Sequence, residues 1–282
     1  MELSIVAFSQ HLKKGRSIPG FGLTMGLSTF YLSLLVLIPL SFIFIYSARS
    51  GWASFWQDVT NPRVVASYKL SFLTALAAAF VNLIFGVLIA WVLTRYTFPW
   101  KRAVDGLVDL PFALPTAVAG ITLTTLYSEN GWIGRWLPFD VSFTPIGITI
   151  ALIFVGLPFV VRMVQPVLQN FEREVEEASS SLGATPFQTF RKVIFPQLMP
   201  AALSGFSLAF ARSLGEYGSV VFIAGNMPYK TEIAPLMIMT KLEQFDYSAA
   251  TAIAVVMLVI SFLLILLINL IQWWSRLRYA GR

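Results

Sequence analysis

The stretch AIAVVMLVISFLLILLI, residues 252–268, decides the fold. Apart from Ser261 every position is apolar, so neither the two-residue period of a half-buried strand nor the 3.6-residue stripe of a surface helix divides it into faces. It lies inside a charge-free run, residues 247–275. As helix, at about 1.5 Å per residue, that run is long enough to cross the ~30 Å hydrocarbon layer of a bilayer. Residues 34–45 have the same character, with Ser41 as the isolated serine. A membrane β-strand would alternate over about 10 residues, so a barrel is excluded.

Working outward, the whole chain of 282 residues is 57% apolar and only 12% charged, with a mean hydropathy of +0.74. A soluble domain carries about 25% charged residues, and this chain has too few to cover a globule of its size. The 20 basic and 14 acidic residues leave six long gaps: 17–48, 70–94, 110–128, 141–161, 193–211 and 247–275. The expectation is an all-α membrane protein, a single transmembrane domain over 1–282 with six spans. These are placed at roughly 24–47, 70–94, 107–128, 144–164, 200–224 and 247–273. The first gap follows Lys13, Lys14 and Arg16 as a secretory signal would, but its apolar run is too long and no A-x-A site closes it, so it reads as a retained span.

Several chemistries fall away. There is no cysteine, hence no disulfide, thiolate or Cys-based metal site. The one histidine, His11, sits in a basic tail and reads as solvated, since a metal site needs three or four ligands. No convergent acid–base set marks an enzyme, so no catalytic residue and no metal site are expected. Gly225-Asn-Met-Pro-Tyr-Lys230-Thr231 lacks the second glycine of a phosphate loop and is rejected as a nucleotide site.

The basic residues give an orientation. Lys13, Lys14 and Arg16, then Arg95, Lys101 and Arg102, then Arg162, Arg173, Arg191 and Lys192, then Arg276, Arg278 and Arg282 all fall on one side. By the positive-inside rule that side is cytoplasmic and holds both termini. The net charge of +6 follows from this bias and needs no nucleic-acid partner. All eight tryptophans lie near predicted span ends, where amphipathic rings prefer the lipid interface.

The loop between the fourth and fifth spans is more ordered than a connector requires. Residues 171–182 are rich in helix formers, with Glu172, Glu174, Glu176 and Glu177 in the early turns where the helix dipole favours anions. Gly183 can supply a left-handed cap. Thr185-Pro186-Phe187-Gln188 then combines a Thr N-cap, proline at the first helical position and Gln three residues after the cap, predicting a second short helix. On it Phe187, Phe190, Arg191 and Ile194 are spaced i, i+3, i+4, i+7, and Pro196 follows. Such an elbow either lies on the lipid surface or docks a partner.

Glu177-Ala178-Ser179, Gly183, Val193 and Phe195-Pro196 carry a resemblance. Their spacing is similar to the E-A-A-x3-G-x9-I-x-L-P loop of ABC importer permeases, with Ser179, Val193 and Phe195 as departures of similar size or apolarity. The resemblance implies the type I importer permease fold, with 172–196 as its coupling loop. It implies ATPase-coupling roles for Glu177, Ala178, Gly183, Phe187, Phe190, Arg191 and Pro196.

Two segments put polar groups where lipid would not. Arg212, Ser213, Gly215 and Glu216 lie inside what reads as one long fifth span ending near Asn226. Each charge at mid-membrane costs about 2.5–3.5 kcal/mol on insertion scales. Arg212 and Glu216, four apart, can pair across one helical turn; they either lock the helix or line a route. The third span carries Pro111 and Pro115, which free backbone carbonyls that only protein or water can satisfy. That marks either a packing kink or a substrate path. Candidates for the pathway are Arg212, Glu216, Ser213, Thr116, Gly120 and Pro115.

Residues 109–122 (DLPFALPTAVAGIT), 210–228 (FARSLGEYGSVVFIAGNMP) and 241–254 (KLEQFDYSAATAIA) extend the resemblance along nearly the whole chain. They resemble the T-type permease of sulfate/thiosulfate importers more than the W-type or the molybdate permease. This implies a bacterial inner membrane location, with a plastid inner envelope as the less favoured setting. It implies as partners a W-type second permease, two ATP-binding subunits that hold ATP and Mg, and an external sulfate-binding protein. No cofactor would be held by this chain. A molybdate-type oxyanion permease and an ion-gradient-driven secondary transporter are the alternatives.

Overall fold

The computed structural model describes residues 21–49 and 51–280, and the side chains up to residue 270. His11, the basic tail before the first span, and Arg282 lie outside the described residues. Among the described residues there are twelve α-helical segments and a 3-10 turn at Gly134–Trp136: α1 (Phe21–Arg49, with a π turn at Ser33–Leu37), α2 (Trp52–Val59), α3 (Pro62–Arg95), α4 (Lys101–Val108), α5 (Leu110–Ala113), α6 (Thr116–Tyr127), α7 (Pro145–Gln169), α8 (Arg173–Ser181), α9 (Pro186–Leu214), α10 (Val220–Ala224), α11 (Ala234–Glu243) and α12 (Tyr247–Ala280). Among the described residues there is no strand.

Five of these, α1, α3, α7, α9 and α12, are long and apolar enough to cross a membrane. The count of six spans is not confirmed by continuous helices, because the third predicted span is interrupted. Leu114 is extended, with ψ at 136°, and Pro115 follows with ψ at 129°; the residue before a proline is pushed out of the α region. The segment is split into α5 and the 12-residue α6, too short to cross by itself. The fifth span also shifts: its helix begins at the elbow and stops at Leu214, with Gly215 as cap, and only α10 follows.

The core is the crossing of α3, α7 and α9. One face of α3 buries a run of small residues, including Ser67, Ser71, Ala75, Ala78, Ala79, Asn82, Gly86 and Ala90. Small residues let membrane helices approach closely, which matters because lipid tails supply no hydrophobic driving force between helices. The approach is literal here. A Cβ on Gly86 would lie 2.7 Å from the Val160 side chain, one on Gly156 2.5 Å from Asn82 Nδ2, and one on Gly205 2.8 Å from Val160 Cα. Apolar clusters continue this core towards both ends, around Ile148, Leu152, Ile223 and Met237 at one and Val160, Val164, Leu168 and Leu198 at the elbow end. By contrast α1 is exposed nearly throughout and touches α12.

Trp52, Trp56, Trp100, Trp132 and Trp136 are exposed, as interface anchors should be. Trp91 is not one of them: it packs edge-on against Phe190 of α9.

Candidate functional site

The two broken segments face each other. A Cβ on Gly120 of α6 would sit 2.4 Å from the Ser219 carbonyl oxygen, and one on Gly218 2.1 Å from Thr116 Oγ1. The Gly120 contact is with backbone, so only glycine fits there, whereas Gly218 faces the Thr116 side chain where α6 passes the turn that follows α9. Pro115 sits exposed at the entry to α6, and Gly120 is buried one turn further on. The junction therefore brings Thr116 and Gly120 against the turn that carries Glu216 and leaves Pro115 exposed beside it.

Glu216 is 1% exposed. It lies past the end of α9 rather than within a helical turn, yet it still pairs with Arg212, Nη1 to Oε2 at 2.5 Å. It also accepts from the Ser219 backbone N–H at 2.8 Å and the Ser219 hydroxyl at 2.9 Å. Three donors on one buried carboxylate make it the pin that holds the turn between α9 and α10. Arg212 differs, because its side chain remains 35% exposed and a guanidinium has five donors. Ser213 Oγ is buried with no hydrogen-bond partner. Beside this junction a cavity of about 470 Å³ opens, lined by Leu214, Gly215, Tyr217, Met239, Leu242 and Met257 among others.

The elbow has the expected cap chemistry and an unexpected continuation. Helix α8 spans Arg173–Ser181, shorter at both ends than the composition of 171–182 suggested, with Glu174 and Glu176 in its first turn. Gly183 adopts φ +81° and donates to the Ser180 carbonyl, while Ala184 N–H reaches the Ser179 carbonyl. Thr185 and Gln188 form a reciprocal capping box. Instead of a separate short helix, α9 then runs through a π turn at Phe190–Ile194 straight into the fifth span. The extra residue in that turn rotates the later positions, so the stripe read at α-helical spacing is split. Phe187 is 69% exposed whereas Ile194 is buried; Phe190 faces Trp91, and Arg191 is exposed. Leu182, beside the cap, is 89% exposed. Glu177 and Ala178 are exposed on α8, and Pro196 is half-buried at the start of the span.

Three ion pairs escape any reading of local spacing. Arg95 at the end of α3 pairs with Glu176. Arg162 of α7 donates to both Asp109 oxygens at 2.7 and 2.6 Å, to the Asp105 carboxylate and carbonyl at 2.7 and 2.8 Å, and to Gln165 at 2.6 Å, tying α4 to α7. Burial raises the Asp105 carboxyl, but the hydrogen bonds from Arg162 and Gln165 outweigh it and hold the group below the ordinary carboxylate range. At the opposite end Arg63 forms a two-pronged pair with the buried Glu232, both contacts at 2.7 Å. Arg63, Arg95 and Arg162 read in the sequence as loop cations, and the signal that could have singled them out, a carboxylate within a turn, is absent because each partner is 53 to 169 residues away. Among the described residues, no three His, Cys, Asp or Glu side chains converge as metal ligands.

Interrupted membrane helices meeting at glycines, and a capped elbow exposing Leu182 and Phe187, define a multi-pass permease subunit. The chain belongs to the family of binding-protein-dependent transport system inner membrane components, whose pattern it matches over residues 82–280. It is thus a transport component and not itself an enzyme.

Within that family it is 52% identical over 260 residues to the sulfate transport system permease protein CysT of Escherichia coli, covering 91% of this chain and 94% of that one. It is 52% identical over 254 residues to the protein of the same name from Synechocystis, covering 89% and 88%, and 46% over 266 residues to a probable sulfate permease cysT of Marchantia polymorpha, covering 93% and 92%. Among solved structures, a bacterial ABC transporter for import of the acidic polysaccharide alginate superposes with a TM-score of 0.74 at 16% identity, covering 90% of this chain and 95% of that one. The MetNI methionine transporter superposes at 0.57 with 18% identity, covering 77% and 99%. These two establish the fold: a type I ABC importer permease.

Proposed function

We propose that this chain is the T-type transmembrane subunit of an ATP-driven importer of sulfate and thiosulfate. The observation that carries the reading is the 52% identity running over nearly the full length of proteins named as sulfate transport permeases. A W-type permease would complete the channel, two ATP-binding subunits would hold ATP and Mg, and an external binding protein would deliver the anion. The elbow end carries Arg95, Lys101, Arg102, Arg162, Arg173, Arg191 and Lys192, which supports a cytoplasmic position for it and for both termini, in a bacterial inner membrane.

Coupling follows from the elbow. Leu182 and Phe187 project from either side of Gly183 and offer an apolar knuckle that water does not favour; Glu177, Ala178 and Arg191 flank it. Docked in an ATP-binding subunit, this knuckle would move as that subunit pair closes. The movement would reach α7 and α9 directly, because the elbow joins them, with Pro196 entering the span.

The anion meets a physical constraint. A dianion in an apolar tube would cost tens of kcal/mol, so its path needs water or donors. Around the junction of Thr116, Gly120 and the turn after α9, the free edge of Arg212 is the cationic donor, since the pair with Glu216 engages only its Nη1. Ser213 has an uncommitted hydroxyl. A weak site suits passage, because a deep well would prevent release; selectivity would rest with the binding protein.

Two measurements test this. Uptake by the reconstituted complex, varying only the anion, should favour sulfate and thiosulfate over molybdate; a molybdate preference would overturn the substrate reading. Gly183→Pro, which φ +81° and the lost N–H donor both forbid, should abolish anion-stimulated ATP hydrolysis with insertion intact. Unchanged stimulation would sink the coupling reading.

A further inference from the structure

Helix α3 has no covalent link to the elbow, yet its last turn grips both arms of it. Arg95 forms an ion pair with Glu176 of α8, and its guanidinium lies over the rings of Phe171, at 5.7 Å from the centroid, and Trp91, at 5.4 Å. Phe171 is the buried residue two positions before α8 begins. Trp91 in turn meets Phe190 edge-on, with centroids 5.5 Å apart and planes at 85°, and Phe190 opens the π turn of α9. One arm is thus held through charge and the other through an aromatic contact, with Arg95 and Trp91 as adjoining jaws. The Arg95 side chain is 13% exposed, so its attraction to Glu176 is screened less than that of a surface pair.

We propose that Arg95 is a positioning residue that makes α3 move with the elbow. Without it, an elbow driven by a partner would pull directly on α7 and α9, the two helices it joins, and reach α3 only through side-chain packing. With it, the third member of the core is driven at the same end and in the same step. The close glycine contacts of α3 with α7, at Gly86 and Gly156, then let the three helices shift as one body, since tightly packed interfaces transmit displacement rather than absorb it. The cation–π contacts supply a geometric constraint that charge by itself lacks.

The inference rests on the coupling reading of the elbow, and the test separates the two. The complex would be reconstituted with its second permease, ATP-binding subunits and binding protein, and anion taken up per ATP hydrolysed would be measured together with yield and melting temperature of the assembly. Arg95→Gln and Glu176→Gln should each lower the transport-to-hydrolysis ratio by about tenfold, a typical coupling factor, per assembled complex. The exchanged pair Arg95→Glu with Glu176→Arg should recover most of it. Arg95→Lys should recover only part, because it keeps the charge but loses the planar stack. A merely structural role would lower yield or melting temperature and leave the ratio at the wild-type value; that result overturns the proposal. Should Gly183→Pro leave anion-stimulated hydrolysis untouched, the elbow reading itself fails. If Gly183→Pro abolishes that stimulation while both single charge variants preserve the transport-to-hydrolysis ratio, only the role of Arg95 is lost.

Discussion

Arg212 and Glu216 form an asymmetric pair, and the asymmetry can be measured. Glu216 is 1% exposed and accepts from Arg212, the Ser219 N–H and the Ser219 hydroxyl. Arg212→Met removes its only countercharge and strands a buried carboxylate, and removing one partner of a buried pair costs about 3–5 kcal/mol. Glu216→Gln is milder. The amide oxygen can still accept from Ser219, and the released guanidinium, 35% exposed, can turn to water. The loss is then that of a charge-assisted bond, about 1–3 kcal/mol. At roughly 2–4 °C per kcal/mol for a domain of this order of size, Arg212→Met should lower the melting temperature of the purified assembly by about 10 °C. Glu216→Gln should lower it by about half as much. The assay is thermal unfolding in detergent, read beside uptake per assembled complex. Equal shifts in the two variants, or an Arg212→Met complex that melts like wild type while losing uptake, would refute the pinning argument. The second of those results would assign Arg212 to the route alone.

Two further predictions concern parts of the fold that contact each other across the chain. Gly120→Ala drives a Cβ to 2.4 Å from the Ser219 carbonyl oxygen, which is backbone and cannot swing aside. Overpacking of this kind costs about 1–3 kcal/mol, and uptake should fall, while Gly106→Ala, with nothing within 4 Å, should behave as wild type in the same uptake assay. The Asp105 carboxyl lies below its ordinary range, so its contribution to the α4–α7 tie is complete above the unfolded value near 4 and is lost as pH falls through the lower folded value. An acid titration of stability should show that limb, and Asp105→Asn should flatten it; an unchanged limb would dissociate Asp105 from the tie.

The membrane class was readable because it depends on composition along the chain: charge-free gaps mark α1, α3, α7, α9 and α12 whatever their packing. The cap at Gly183 and the capping box at Thr185–Gln188 are readable because both are local, with hydrogen bonds that reach no more than five positions. The exact breaks in the third and fifth segments are less legible, because apolarity reports solvent and not continuity. Pro115 and Gly215 interrupt the helices without adding a charge, and the breaks are tolerated where protein covers them, here at the contact of Gly120 with Ser219. The π turn at Phe190–Ile194 has no signature in residue spacing, so the elbow stripe was drawn one residue out of register.

The charges divide along the same line. Arg212 and Glu216 announced themselves because they are near neighbours inside an apolar run. Arg63, Arg95 and Arg162 sit at span ends; the positive-inside rule already accounts for Arg95 and Arg162, and Arg63, at the opposite end, has no near carboxylate to single it out. A basic residue at the end of a span satisfies topology whether it faces water or a carboxylate from another helix. Only the fold decides between those, by bringing Glu232, Glu176 and Asp109 from distant segments. The three pairs share one consequence. Each joins a span to a segment outside its own continuous helix: Arg63 to the stretch before α11, Arg95 to the elbow, Arg162 to α4 and the residue ahead of α5. Arginines at the ends of spans thereby fasten connecting segments to the core on which they act.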